Sequence, residues 1–294
     1  MVKNSYLLYN GVLMARESWK QEADELLLSF GQGVRTDFFA SGNRIPFLMA
    51  QLELLKKRFS SVGWVLPGEL EYQELKTRFE RLLNRNRLFK GSLIRLLVLP
   101  VPGSREMDGN PVFSYLASTK ELDHDYFPLN AKGLSIGIST QYKNTGEPFY
   151  SSMVRSPLRT LLIRQEAARN GWDDILLLDY NDHVSEASES NVFIRINDQV
   201  ITPAPGNNCL PRVVAHLLPE WIVEEGYRFS EMSAIRPEDL QQADEVFLVS
   251  DLQGIRWVLS YETKRYYRKL SVLLSDKLAS RMRNLDQFHI GSSG

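Results

Sequence analysis

The first half of the chain combines short apolar runs with two longer stretches of helical period. Asn10-Gly11 stands between two short apolar runs and predicts a tight hairpin, because these residues tolerate the positive φ angles of such a turn. Apolar residues at helical spacing predict helices over about 46–60 and 70–86, the second with a stripe of Leu75, Phe79, Leu82 and Leu83. Further apolar runs predict strands at 34–39, 93–99 and 112–118.

The second half has more strand-like runs, two of them ended by turn signals. Asn181-Asp182 and Asn197-Asp198 predict two successive hairpins. The predicted strands cover 134–139, 175–179, 191–196, 200–202, 245–249 and 254–259. Helices are predicted over about 157–170, with Leu161, Leu162, Gln165 and Ala168 at helical spacing, from Pro211 onward, and over about 269–284. Strands interleaved with helices in this way indicate an α/β architecture with a mixed sheet.

A polar segment from Glu121 to Gly133 separates the two halves. It contains Pro128 and shows no hydrophobic period, which is typical of a connection. A chain of 294 residues suits two modest domains. We therefore predict an N-terminal α/β domain over 1–120, a linker over 121–133 and a C-terminal α/β domain over 134–294.

Composition and charge exclude several classes of protein. The chain is 43% hydrophobic with a formal net charge of −1, so no overall field attracts nucleic acid or an anionic membrane. No run approaches the roughly 18 apolar residues of a membrane helix, and the N-terminus lacks a secretory apolar stretch. The cytoplasm is the expected compartment. A single cysteine, Cys209, predicts a small buried residue and excludes an intramolecular disulfide.

The histidines give no metal-binding pattern. All four are dispersed along the chain, and no pair has the spacing of metal ligands. His124 lies in the local cluster Asp123-His124-Asp125, which we interpret as a solvated turn of the linker. No metal site is predicted.

A block of motifs between 164 and 193 stands in a distinctive order. The motifs are Arg164-Gln165-Glu166-Ala167, Gly171-Trp172-Asp173-Asp174, Leu176-Leu177-Leu178-Asp179, Val184-Ser185-Glu186 and Ser190-Asn191-Val192-Phe193. In order and spacing they resemble the class IV aminotransferases, the group of branched-chain and D-amino-acid aminotransferases and 4-amino-4-deoxychorismate lyase. Weaker matches at Ile45-Pro46-Phe47-Leu48 and Gln253-Gly254-Ile255 extend the resemblance over nearly the whole chain, and the second is most similar to the aminodeoxychorismate lyase branch.

The resemblance implies a fold, a cofactor and an assembly. The implied fold is that of class IV pyridoxal-phosphate-dependent enzymes, an α/β (α+β two-domain) arrangement of two mixed-sheet domains with the site between them. Family members form homodimers and bind pyridoxal phosphate. Glu186 matches the glutamate that faces the pyridine nitrogen, where a carboxylate keeps the ring protonated and able to take up electrons.

The family's catalytic lysine has no counterpart in this chain. Counting back from the motif at 164–167 puts its position at Met153, and a thioether can neither form an imine with the cofactor nor transfer protons. Its neighbours are Ser151, Ser152, Val154 and Arg155. The nearest upstream lysine, Lys143, is on the far side of Pro148.

The resemblance also implies a phosphate-binding site, and its positions are altered. Leu54 stands where the family has a phosphate-binding arginine, a loss of about 1.5–3 kcal/mol for a charge-assisted hydrogen bond. Val213 and Val214 follow at a helix start where the family has a threonine hydroxyl. Asp251, next to Leu252, replaces a small residue and would repel a phosphate.

Two neighbouring arginines are further candidates for this site. Arg212 could offset the charge of Asp251 or pair with it, and either Arg155 or Arg212 could fill the volume left by the cofactor. The substrate side differs as well, since Pro100 and Val101 follow a strand that continues to an arginine and a glycine in the family.

Three functional hypotheses follow. The first is a homologue that has lost pyridoxal phosphate catalysis and binds a small molecule or a partner, with no cofactor. The second is an active pyridoxal-phosphate-dependent enzyme, either a lyase making 4-aminobenzoate or an aminotransferase, with its lysine supplied from elsewhere in the chain. The third is an enzyme of different chemistry in the same cleft, for which the sequence indicates no nucleophile or base.

Overall fold

The structure, a computed structural model, describes residues 5–20, 33–101, 104, 109–144, 157–204 and 209–284. The described residues separate into two compact units, one of 5–126 with 282–284 and one of 127–281. The boundary after Tyr126 falls inside the segment 121–133, whose role as a linker stays a prediction.

The first unit contains an antiparallel sheet of five strands among its described residues. Its elements are β1 (Tyr6–Tyr9), β2 (Val12–Ala15), β3 (Val34–Ser41), α1 (Leu48–Ser61), α2 (Tyr72–Arg85), β4 (Gly91–Pro100) and β5 (Phe113–Glu121). The strand order is β2-β1-β5-β4-β3, and every pairing is antiparallel. The prediction of a mixed sheet is therefore wrong for this unit. Two helices of equal length separate β3 from β4, so the chain returns before β4 begins, and the two strands run in opposite directions.

The helices of the first unit bury the apolar stripes that the sequence predicted. Leu75, Phe79, Leu82 and Leu83 of α2 are all fully buried. Leu52, Leu55 and Phe59 of α1 are buried as well, whereas Met49 is only half-buried. The predicted start of α1 at Pro46 is wrong, because Phe47 has a φ of 65° and the left-handed conformation cannot continue a right-handed helix.

The N-terminal hairpin has the predicted turn. Asn10 and Gly11 adopt φ angles of 45° and 80° between β1 and β2. The side-chain oxygen of Asn10 also accepts a hydrogen bond of 2.7 Å from the backbone N–H of Tyr115 on β5. This bond fixes the turn against the neighbouring strand.

The start of β4 packs closely against the segment that contains Asp123-His124-Asp125. The backbone N–H of Gly91 donates to Oδ1 of Asp125 at 2.6 Å, and Leu122 donates to the carbonyl of Gly91 at 2.8 Å. The backbone carbonyl oxygen of His124 lies 1.6 Å from the point where a Cβ on Gly91 would stand. This cluster is therefore a structural support of β4. Among the described residues, no group of three His, Cys, Asp or Glu side chains could hold a metal ion.

The second unit contains a mixed sheet, as predicted. Its elements are β6 (Leu134–Lys143), α3 (Pro157–Arg169), β7 (Asp174–Leu178), β8 (Val184–Ala187), β9 (Asn191–Ile196), β10 (Gln199–Pro203), α4 (Val213–Glu224), β11 (Arg228–Met232), α5 (Pro237–Gln242), β12 (Glu245–Ser250), β13 (Gly254–Tyr261), β14 (Lys264–Arg265) and α6 (Lys269–Asn284), whose last residues group with the first unit. The strand order is β11-β10-β9-β12-β13-β6-β7-β8, with β14 beside β13. The pairs β10–β11, β13–β6 and β6–β7 are parallel.

Several predictions for the second unit need correction. The sequence analysis missed β8, β11 and α5, which are short elements of four to six residues. Helix α4 begins at Val213, two residues after Pro211. The apolar stripe predicted for α3 is also wrong, since Leu161 is 52% exposed whereas Ile163, Glu166 and Ala167 are buried.

Helix α6 begins at a buried carboxylate. Glu245, the first residue of β12, is fully buried and accepts hydrogen bonds from the backbone N–H groups of Leu270 at 2.9 Å and Ser271 at 2.7 Å. Nε of Arg195 lies 3.4 Å from the same carboxylate. Within the described chain, no helix is both long and apolar enough to cross a membrane.

Candidate functional site

Glu186 lies on β8 with its carboxylate held by three groups of the second unit. The side chain is 1% exposed. Its Oε1 accepts a hydrogen bond of 2.9 Å from the side-chain amide of Asn144, and its Oε2 accepts one of 3.2 Å from the backbone N–H of Leu210. A guanidinium nitrogen of Arg212 lies 4.0 Å from Oε2. A buried carboxylate needs such donors and charges because it has lost its water.

Two asparagines bring these groups together. Asn144 follows β6, donates from its backbone to the carbonyl of Leu178 at 2.7 Å, and gives a second side-chain hydrogen bond to Ser185 at 3.1 Å. Asn191, from the motif at 190–193, donates to the carbonyl of Leu210 at 3.1 Å and so fixes the segment before α4 beside Glu186. The sequence analysis missed Asn144, because nothing in its local sequence indicates a partner on β8.

Cys209 is buried next to this cluster, as predicted. Its Sγ donates to the backbone carbonyls of Ala204 at 3.7 Å and Pro203 at 3.9 Å. Burial, reinforced by the negative charge of Glu186, raises the pKa of the Cys209 thiol to about 11. The thiol is therefore protonated at neutral pH and is a packing group.

Alkylation provides a test of this environment. At pH 8 we expect Cys209 to react with iodoacetamide on the order of a hundredfold more slowly in the folded protein than in denaturant, because the raised pKa and burial suppress the reactive thiolate. Mass spectrometry of timed samples measures the rate unambiguously, since the chain has one cysteine. Equal rates in the two states would contradict the buried position.

The N-terminus of α4 is occupied by a carboxylate from the end of β12. The backbone N–H of Val214 donates to Oδ1 of Asp251 at 2.9 Å, and that of Val213 donates to Oδ2 at 3.3 Å. Both valines are buried, whereas Asp251 and the following Leu252 are half-buried. Arg212, immediately before α4, contributes no side-chain cap to the helix.

This arrangement decides whether the helix end fits a phosphate group. Free N–H groups at a helix N-terminus normally suit an anion, because they point outward and the helix dipole adds positive potential. Here the N–H groups of Val213 and Val214 already donate to Asp251. A phosphate at the same place would lose these donors and face a like charge at short range. The residues at this helix end do not fit a phosphate.

The other predicted site residues lie elsewhere. Leu54 is a half-buried residue of α1 in the first unit. Met153 and Arg155 lie outside the described residues. The ammonium group of Lys143 lies 2.5 Å from the carboxylate of Asp182, and both side chains are exposed. The structure therefore brings together Glu186 and Arg212 in one group, and Val213, Val214 and Asp251 in a second.

Comparison with known proteins identifies the family. A family model described as Amino-transferase class IV matches residues 42–261, which is most of the chain. The chain belongs to the class IV aminotransferase family. It is similar to the branched-chain-amino-acid aminotransferase of Salmonella typhimurium, with 25% identity over 261 residues, 84% of this chain and 81% of that protein.

Other relatives match over a smaller part of their length. The matched region spans 44% of a relative from Aquifex aeolicus, 46% of one from Humulus lupulus and 32% of one from Arabidopsis thaliana. Among solved structures, the branched-chain aminotransferase of Thermoproteus uzoniensis with norvaline has a TM-score of 0.81 at 18% identity, covering 93% of both chains. A branched-chain amino acid aminotransferase with pyridoxamine 5'-phosphate, from the source abbreviated T.th., has a TM-score of 0.80 at 17% identity, covering 96% of both. These similarities establish the fold of class IV pyridoxal-phosphate-dependent enzymes.

Proposed function

We propose that this protein is a class IV aminotransferase homologue, closest to the aminodeoxychorismate lyase branch, that has lost pyridoxal phosphate catalysis. It binds a small molecule or a protein partner instead, with no resident cofactor. The proposal includes the homodimer that the family implies, a cytoplasmic location, and no binding of nucleic acid or membrane.

The observation that carries this proposal is the carboxylate of Asp251 on the N–H groups of Val213 and Val214. In the family this helix end binds the cofactor phosphate. A cofactor entering here would have to displace an internal anion and then remain beside it. Each charge-assisted hydrogen bond is worth about 1.5–3 kcal/mol, so the displacement removes a large share of the energy that would hold the phosphate.

Arg212 supports the proposal at the opposite end of the cofactor position. Glu186 would have to keep the pyridine nitrogen protonated, and a guanidinium already lies 4.0 Å from its carboxylate. A positive charge there disfavours a protonated ring nitrogen by electrostatic repulsion. The sequence adds Met153 at the lysine position and Leu54 at the arginine position.

The second candidate is an active pyridoxal-phosphate-dependent enzyme. Its support is Glu186, which is retained, buried and hydrogen-bonded by Asn144 and Leu210. The similarity to branched-chain aminotransferases over 84% of the chain also favours it. In this case a lysine from elsewhere in the chain would form the imine, and the product would be 4-aminobenzoate or a transferred amino group.

A cofactor titration tests the proposal against this candidate. Purified protein is titrated with pyridoxal phosphate, reduced with borohydride and digested for mass spectrometry. We expect no saturable absorption band at about 410–430 nm, where a protonated imine of this cofactor absorbs, and no stoichiometric adduct.

Nonspecific labelling of surface lysines is controlled with pyridoxal, which lacks the phosphate. Scattered substoichiometric adducts that both reagents give equally would be consistent with the proposal. One reduced adduct on a single lysine at full occupancy would overturn it and identify the catalytic lysine.

A further inference from the structure

Strand β12 is flanked by two carboxylates that each cap a helix. Glu245 at its start accepts from the first N–H groups of α6, and Asp251 just after its end accepts from those of α4. The two caps differ in access, because Glu245 is fully buried and Asp251 is half-buried. An anion from solution could reach the second helix end if Asp251 were shortened, but it could not reach the first.

We infer that Asp251 is an internal substitute for a phosphate group, which stabilises the start of α4 and excludes phosphate-bearing ligands from it. This inference rests on the proposed function and deepens it, because it defines the class of ligand that the site can accept. A ligand that contacts this helix end carries a neutral or positively charged group toward Asp251, and no phosphate.

The charge and geometry of the cap support this substitution. One carboxylate spans the N–H groups of two successive residues, Val213 and Val214, as an oxyanion of a phosphate would. Both residues are buried, so their N–H groups would have few other partners if the carboxylate were removed. Removing Asp251 therefore creates an unsatisfied anion site in place of a satisfied one.

Chemical rescue by inorganic phosphate tests the inference. Asp251→Ser leaves the N–H groups of Val213 and Val214 without the carboxylate, and we expect its melting temperature to fall by about 2–4 °C, the effect of a lost cap in a chain of this size. Inorganic phosphate should restore most of that loss, whereas chloride at matched ionic strength should not. The apparent affinity for phosphate should be on the order of tenfold higher in the variant than in the unsubstituted protein.

Two control variants make the test specific. Glu245→Ser removes the buried cap of α6, so it should lower the melting temperature without any phosphate rescue. Asp251→Asn keeps an acceptor oxygen but removes the charge, so its phosphate response should lie between those of Asp251→Ser and the unsubstituted protein. The asparagine variant also provides the measurement if the serine variant does not fold.

Each result bears on the inference alone. Equal phosphate responses in the unsubstituted protein and the Asp251 variants would overturn it, and so would a destabilised Asp251→Ser that phosphate does not rescue. Neither result requires pyridoxal phosphate, so the proposed loss of catalysis would stand. Conversely, a lysine adduct in the cofactor titration would overturn the proposed function and leave the rescue experiment readable.

Discussion

Replacing Gly91 with alanine is expected to destabilise the first unit by about 3 kcal/mol or more, one of the two largest effects that the structure predicts. The new Cβ would stand 1.6 Å from the carbonyl oxygen of His124, and 2.6 Å from its carbonyl carbon. Both are backbone atoms, so no side-chain rotation relieves the collision. Moving the segment away would also break the bond from the N–H of Gly91 to Asp125.

A matched glycine provides the control for this prediction. A Cβ on Gly68 would meet nothing within 4 Å, and its φ is not in the left-handed region. Gly68→Ala should therefore change the free energy of unfolding by less than about 1 kcal/mol. Urea unfolding followed by circular dichroism compares the two variants, and equal midpoints would show that the contact at Gly91 is not as close as described.

Replacing Glu245 with alanine is the second large effect, an expected loss of about 3–5 kcal/mol. The substitution removes the acceptor of the N–H groups of Leu270 and Ser271 and leaves them buried. It also removes a negative charge next to Arg195, whose side chain is 12% exposed. Glu245→Gln should cost less, because its carbonyl oxygen can still accept from one of the N–H groups.

Glu220 serves as the matched control for this substitution, since it is an exposed glutamate on α4. Glu220→Ala should change the melting temperature little, because surface substitutions usually stay within about 0.5 kcal/mol. Differential scanning calorimetry measures all three variants. A melting temperature of Glu245→Ala close to that of Glu220→Ala would rule out a stabilising cap at α6.

Local patterns predicted most of the fold. The stripe from Leu75 to Leu83 and the Asn10-Gly11 turn were confirmed, because helical period and turn chemistry are properties of neighbouring residues. The stripe through Leu161 was wrong for a reason that local sequence does not contain. Glu166 is buried on the opposite face because Ser139 Oγ donates to it at 2.6 Å and the backbone N–H of Thr140 donates at 2.8 Å, contacts between distant parts of the chain.

The candidate site shows the same limit. Family motifs predicted the position of Glu186, but not its partner Asn144, which is 42 residues away. They also predicted that Asp251 would repel a phosphate. That Asp251 itself takes the N–H groups of Val213 and Val214 depends on the end of β12 meeting the start of α4, which only the folded structure contains.

The two caps at the ends of β12 limit how this part of the chain can change in length. Glu245 begins the six-residue strand and Asp251 follows its last residue, so one segment fixes the starts of both α4 and α6. An insertion or deletion between them would move one carboxylate away from its helix and would also reverse which side chains face each side of the sheet. Length variation should therefore be tolerated in the turns on either side of β12 and not within it.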